Sequence, residues 1–305
     1  MRHRFRPLSE DCVGAGGATG EDSPMPSRVR TARRADIPSL ARLCRAAVGP
    51  HDYVLSYLEE MVAGREVRIV DEGGRIVAMA GITECADGAL WLGQLRTHPR
   101  FRRRGYATRL LDDAFARVVR EGRPALRLWA SRRNKVGLAV FEGSGFRRIA
   151  TFTRRAAAPM GGRQPASVGQ GMLVTAGVTR LWTRWRRSTA CRRGRGYVDY
   201  RWHFVPLARQ VLKVMRRRKE LYVLGDAACV LWREDGDPAV YGAVLAGGRD
   251  TLLLMRRLAA MTRRDRVEVF LPEPSPLVHA ARRAGFGPAE WGRAAILFER
   301  PNPRR

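Results

Sequence analysis

From Arg28 onward, short runs of alternating apolar and polar residues give way repeatedly to segments with helical spacing. RVRTA reads as a short strand, and Asp36 stands where it would cap a helix with Ile37, Leu40, Leu43 and Cys44 on one face. A second amphipathic helix is expected from about Tyr53 to Ala63. VRIVDEGGRIVAMAGIT predicts two strands joined at Glu72-Gly73-Gly74, and the turn Ala86-Asp87-Gly88 leads into a further strand, ALWLGQLRT. A basic, glycine-containing turn then opens a helix from about Tyr106 to Glu121. ALRLWA has the continuous apolar character of a buried strand, GLAVFEGSG is a helix with a glycine stop, and FRRIATFT is a strand. The order β–α–α–β–β–β–α–β–α–β specifies an α/β architecture with a mixed sheet.

After about residue 170 the same plan returns. LYVLGDAACVLWRE and AVYGAVLAGG are strand-like, TLLLMRRLAAMTRR is helical, RVEVFLP is a strand, SPLVHAARRAGF is a helix, and AAILFER is a last strand. Gly145-Phe146 and Gly285-Phe286 each follow a strand-then-helix unit. A chain of 305 residues is long enough for two cores, and the division expected is 27–160 and 180–305, with a linker at 161–179. Residues 1–26 are turn-rich and have few large apolar side chains, so they read as a flexible tail. Met25, just before the first patterned segment, is the alternative start.

Charge changes the picture in one place more than elsewhere. The formal net charge is +28, and only three of the 57 basic residues are lysine: Lys135, Lys213 and Lys219. Arginine, alanine, glycine and proline share GC-rich codons, so genome composition is the alternative explanation of this excess. Between Arg180 and Arg201, however, eight arginines face one acid, Asp199, and are interleaved with Trp182, Trp185, Tyr197, Tyr200 and Trp202. Arginine for phosphate and aromatics for stacking suit a nucleic acid. The competing reading is an amphipathic helix with its tryptophans buried. Arg216-Arg217-Arg218-Lys219 reads as the solvated end of a helix. Five scattered cysteines without a C-x-x-C pair fit neither a disulfide framework nor a metal site, and a reducing cytoplasm suits them. No run of 18 apolar residues is present, so no membrane partner is expected.

The candidate chemistry lies at Arg102–Ala107, RRRGYA, where the fourth strand gives way to its helix. Small residues there admit a ligand to the backbone, free amides at a helix start bind anions, and arginines add charge. With its context, LRTHPRFRRRGYATRLLDDAF resembles the acetyl-coenzyme A motif of the GCN5-related N-acetyltransferase superfamily, R/Q-x-x-G-x-G/A after a strand and a V-x-P-type turn. Arg102, Gly105 and Ala107 fill the defining positions, Thr97-His98-Pro99 the turn, and Asn134 with Gly145-Phe146 the family's second signature. The resemblance spans about residues 28–155. It implies a GNAT fold with a mixed, mostly antiparallel sheet, and the repeated plan makes the second half a tandem copy, with an unrelated α/β domain as the alternative. The second copy would lack the phosphate turn, since AGGRDTLLL has lost the spacing and Pro274 replaces Asn134.

By the same resemblance, acetyl-CoA is the co-substrate, no metal is needed, and an amine of a small molecule or protein is the acceptor. Leu95 and Thr97 would bond the pantetheine arm through their backbones. The amides of Arg102, Arg103, Arg104, Gly105, Tyr106, Ala107 and Thr108 would hold the pyrophosphate, and Asn134 would touch the cofactor. Tyr106, the motif's variable residue, is expected to point its hydroxyl to solvent or to the adenosine end. The family's acid–base positions hold Phe141, Trp91 and Trp129 instead of titratable groups. Glu84, across the hairpin from Trp91, is the substitute base, acting through a water, with an exposed hairpin carboxylate as the alternative. The expectation is an N-acetyltransferase working by direct attack on the thioester. A non-catalytic acyl-CoA-binding protein and a nucleic-acid-associated basic protein are the alternatives.

Overall fold

In the computed structural model, residues 27–161, 178–262, 264–289 and 294–305 are described. The tail expected at 1–26, with Met25, and the linker residues 162–177 lie outside them. The first half runs β1 (Arg28–Thr31), α1 (Ile37–Ala47), α2 (Leu58–Ala63), β2 (Val67–Glu72), β3 (Arg75–Glu84), β4 (Leu90–Thr97), α3 (Tyr106–Arg120), β5 (Ala125–Ser131), α4 (Lys135–Gly143) and β6 (Arg147–Ala157). Period-two alternation in the strands buries Ala78, Ala80 and Ile82, Leu90 and Leu92, and Leu126, Leu128 and Ala130 on one face. There they meet Leu110, Leu111, Ala114 and Val118 of α3, which recur at helical spacing. The helices α1 and α2 cover Val67, Ile69 and Met79 on the opposite face.

Two local expectations are corrected. The segment from Tyr53 to Ala63 is not one helix: a 3-10 turn, Tyr53–Ser56, is separated from α2 by Tyr57, whose φ of −134° breaks the helical path. Asp36 does not cap α1 through its side chain. Its carboxylate closes a 3-10 turn by accepting from the Arg33 amide at 2.7 Å, and it also binds the Arg30 guanidinium.

The second half runs α5 (Val178–Arg187), α6 (Thr189–Arg193), β7 (Tyr197–Tyr200), β8 (His203–Pro206), α7 (Arg209–Arg217), β9 (Leu221–Leu224), β10 (Ala227–Arg233), β11 (Ala239–Ala246), α8 (Arg249–Met261), β12 (Arg266–Glu273), α9 (Pro276–Arg283), β13 (Gly287–Pro288) and β14 (Ala295–Pro301). All strands except the β7–β8 hairpin form one sheet in the order β1-β2-β3-β4-β5-β14-β6-β12-β11-β10-β9, with β13 on β6. Every pairing is antiparallel except β4–β5 and β11–β12. Apart from β1, the order mirrors itself about its centre, where the halves exchange their last strands. β14 of the second half pairs with β5 from Ala125 to Ser131, and β6 of the first half pairs with β12 from Val267 to Glu273. Neither half closes its sheet alone.

The exchange is fastened by Arg127, whose side chain is 3% exposed. Its Nη1 donates to both Asp87 carboxylate oxygens, at 2.8 and 3.0 Å, and its Nε donates to Glu299 of β14 at 2.6 Å. Tyr197 of β7 donates to the same Glu299 oxygen and lies with its ring beneath the guanidinium. Burial works against the charge on Arg127, but the Asp87 and Glu299 carboxylates outweigh it, so the guanidinium is held firmly protonated.

The β7–β8 hairpin lies over the central strands and carries a buried acid. Asp199 is pushed up to about 8 by burial, which the Arg154 charge and the Trp202 amide only partly offset, and its Oδ1 has no hydrogen-bond partner. The aromatic residues of the arginine-rich join turn inward: Trp185 is 1% exposed, and the Tyr197 and Tyr200 hydroxyls donate to Glu299 and Glu220.

Removing Arg127 alone strands two carboxylates that are largely withdrawn from water. Arg127→Met is expected to cost about 3–5 kcal/mol in denaturant unfolding, and the added changes Asp87→Asn and Glu299→Gln are expected to recover most of it. Asp199 gives a pH signature. The folded state keeps a proton that an unfolded aspartate, with an ordinary value of 3.8, has released, so stability falls as pH rises from about 4 through 8. Asp199→Asn is expected to flatten this limb of the thermal-melting profile, whose slope reaches about 1.4 kcal/mol per pH unit.

Candidate functional site

The parallel strands β4 and β5 are paired only at Leu90↔Leu126 and Trp91↔Arg127. Beyond that point they separate. The outer edge of β4 stays on β3 as far as Thr97, and that of β5 stays on β14 as far as Ser131. The result is a wedge in mid-sheet, flanked by main chain of residues 92–97 and 128–131 that has no ladder partner across the gap. A register shift in β3–β4 between Met79 and Gly81, with Gln94 at φ 49°, re-aims β4 where it leaves β5. A glutamine in the left-handed region is a strained feature held by its surroundings.

At the open end of the wedge the chain turns through Pro99–Phe101 and Arg102, then enters α3. Arg103 (φ 65°) and Gly105 (φ 78°) are both left-handed, which costs least for glycine. The first backbone bond of α3 runs from the Arg109 amide to the Gly105 carbonyl at 3.0 Å. The amides of Tyr106, Ala107 and Thr108 therefore lie ahead of any intrahelical acceptor. A Cβ built at Gly105 meets nothing within 4 Å, so the turn borders open space. Arg102, Arg103 and Arg104 are exposed beside it. The Arg102 guanidinium donates to the Ala47 carbonyl, and that of Arg104 lies over the Phe101 ring. Burial, then the charges of Arg75, Arg100 and Arg102, push His98 below the ordinary histidine value, and its Nδ1 accepts from the Arg100 amide.

Leu95 and Thr97 lie half-buried on β4 as it approaches this end. Because β4 and β5 are parallel, Asn134, just past the end of β5, also belongs to the open end. Its side chain is exposed and caps α4 by accepting from the Gly137 amide at 3.0 Å. The fold thus gathers Leu95, Thr97, residues 102–108 and Asn134 around one end of one gap.

Tyr106 is a correction. It is buried, and its hydroxyl donates to Glu72 of β2 instead of pointing to solvent or outward along the turn. At the start of α3 an inward position anchors the helix on the sheet, and Glu72 satisfies the phenol. Glu84 is not brought to the wedge: its carboxylate is paired at 2.7 Å with Arg123, beyond the opposite end of α3 from Gly105. Phe141 is buried against Phe146 and Phe298. Trp91 lies beneath His203 and Phe204 of β8, and Trp129 is 37% exposed beside Phe270.

His203, Tyr57, Asp52 and Arg96 lie near the wedge and had no signal in the sequence. His203 shares a 3.0 Å hydrogen bond with Thr83, stacks on Trp91, and is pushed down to about 4 by burial, so its ring is neutral at physiological pH. The Gln94 amide donates to the Tyr57 hydroxyl, and Arg96 is bound by Asp52, whose side chain is fully buried, at 2.8 and 2.9 Å. Asp52 and Arg96 lie 44 residues apart, and His203 comes from the other half. Only tertiary structure joins them.

The second half has a similar divergent pair. β11 and β12 pair from Ala239 to Gly242 and then part. Its turn, however, is filled: a Cβ at Gly247 would collide with the Thr251 side chain, and the main chain of Asp226 and Ala227 is close. The Thr251 hydroxyl itself donates to the Ala246 carbonyl. Pro274, after a cis peptide bond, stands at the end of β12.

The acetyltransferase (GNAT) family matches residues 37–146. No curated protein matches the sequence. Among solved structures, a GCN5-related N-acetyltransferase from Sphaerobacter thermophilus superposes with a TM-score of 0.59 at 19% identity, covering 90% of this chain and 95% of that one. A Thermoplasma acidophilum protein gives 0.59 at 15% identity, covering 90% and 99%. A fungal GH3 β-N-acetylglucosaminidase with a GCN5-related glucosamine N-acetyltransferase region gives 0.60 at 13% identity, covering 92% of this chain and 38% of that one. At these identities the likeness is one of fold, and it extends over both halves. The wedge, its phosphate-type turn and the family match coincide in the first half: across residues 37–146 the chain carries a domain of the acetyltransferase (GNAT) family.

Proposed function

We propose that the protein is an acetyl-CoA-dependent N-acetyltransferase whose working site is the β4–β5 wedge of the first half. The observation that carries this reading is the gap itself. Unpaired main chain lines both sides, and one end opens onto a helix N-terminus bordered by three exposed arginines. The residues present fit a CoA ester: open space at Gly105 admits a pyrophosphate to the amides of residues 106–108, where the helix dipole also favours an anion. The Arg102, Arg103 and Arg104 side chains add charge, and the Leu95 and Thr97 main chain offers hydrogen bonds to an extended amide-bearing arm. Asn134, already committed to capping α4, marks the far wall.

Acetyl-CoA, when bound, supplies an acyl group already activated as a thioester. The protein must then present a neutral amine, donate to the developing oxyanion and exclude water. The wedge closes at Trp91 and Arg127, six residues from Thr97, or about 20 Å along the strand, and in this reading the acyl end lies toward Trp91. The acceptor approaches from the face lined by Tyr57, Gln94 and Trp129. Glu84 takes no part, because Arg123 holds it at the other end of α3.

A second reading, acyl-CoA binding without turnover, is favoured by Phe141, which lies in the core and has no proton to give. Two measurements separate the outcomes. Calorimetry of the full chain with acetyl-CoA is expected to show one site. Gly105→Glu, which brings a carboxylate and a side chain at φ 78°, is expected to weaken binding by at least about tenfold, or 1.4 kcal/mol. Absence of binding would overturn both readings. Thiol release across a panel of amines is expected to be acceptor-dependent and lost with Gly105→Glu. Binding without any release assigns the second reading.

A further inference from the structure

The helices α5, α6 and α7 cover one side of the second half, with α5 packed against both others. Their apolar residues, among them Leu181, Trp185, Ala190, Leu212 and Met215, are buried in the core, and arginines on their other sides are exposed. From Val178 to Lys219 the sequence holds fourteen Lys and Arg residues and one carboxylate, Asp199, which is buried. Arg186, Arg187, Arg192, Arg193, Arg216 and Arg217 are exposed, and none of these six forms an ion pair among the described residues. The neighbouring acids do not neutralise them. Asp226 faces Arg184 at the rim, at 3.7 Å, and Glu220 is engaged by Arg201 and Tyr200.

What this surface lacks narrows the partner. Single-stranded nucleic acid is held by aromatic platforms, and here Trp185 is buried and Trp182 packs against the core. A lipid interface takes up apolar side chains beside the cations. Among the described residues, the exposed large apolar side chains are Val48, Tyr53, Trp129, Val136, Leu224 and Met261, and none lies on α5, α6 or α7. Dense, unpaired positive charge on a rigid helical face suits a regular array of phosphates. We infer that the α5–α7 face binds the phosphate backbone of duplex nucleic acid without reading its sequence. This surface is separate from the turn at Gly105 and does not depend on the acetyltransferase reading.

Fluorescence anisotropy of the full chain with a short labelled DNA duplex tests the assignment. With about six phosphates neutralised, log affinity is expected to fall against log salt with a slope of about −5, close to a thousandfold between about 50 and 200 mM. Arg186→Gln, Arg187→Gln, Arg216→Gln and Arg217→Gln combined are expected to reduce the slope to about −2. The pair Arg192→Gln and Arg193→Gln is expected to reduce it by about two units and serves if the fourfold variant fails to fold. Scrambling the duplex sequence or saturating with acetyl-CoA is expected to change nothing. A wild-type slope shallower than about −2, or a folded variant with the wild-type slope, would overturn the inference. So would displacement by acetyl-CoA, or tighter binding to single strands or to phosphatidylserine vesicles.

Discussion

Arg127 sets the geometry on which everything else rests. A guanidinium buried at the last paired position of β4 and β5 demands carboxylates close by, because an isolated charge there would be far too costly. One comes from the β3–β4 turn, as Asp87, and the other from β14, as Glu299. The second partner brings the final strand of the chain alongside β5. β14 fills that edge of β5, and on the other side the wedge opens immediately beyond Arg127. Tyr197 on the same Glu299 oxygen ties in the hairpin of the second half as well.

One consequence is that the second half is part of the first half's site although its own turn is filled. β14 supports the wedge from behind, and His203 and Phe204 form the cover over Trp91. A ring kept neutral by burial can seal that end without adding charge, and its bond to Thr83 fixes the hairpin on β3. Gly105 borders open space whereas Gly247 is closed in by Thr251, so the same plan leaves the turn open in one half and packed in the other.

Much of this was legible along the chain, for a physical reason. Period-two and helical spacings are local, so the strands and helices of both halves fall close to where the pattern places them. The phosphate-type turn was legible because a helix start, a glycine and flanking arginines are consecutive in sequence. The failures are also physical. Asp36 satisfied an adjacent 3-10 turn instead of the helix it precedes, and Tyr106 turned inward because the sheet beneath α3 offered Glu72. Glu84 is adjacent to Trp91 in the hairpin, yet Arg123 holds it away from the wedge.

The sequence by itself pointed to most of the element order, the repeated plan of the second half, a basic glycine-containing turn at a helix start and the concentration of positive charge between residues 178 and 219. Tertiary structure alone decided the exchange of β6 and β14, because it pairs strands far apart in the chain. The exchanged arrangement sets Glu299, 172 residues away, against the buried Arg127 guanidinium. Packing likewise decided which side of the arginine-rich helices faces water, turning the tryptophans inward and leaving the cations outside, since the indole rings lose contact with water and the guanidinium groups keep it.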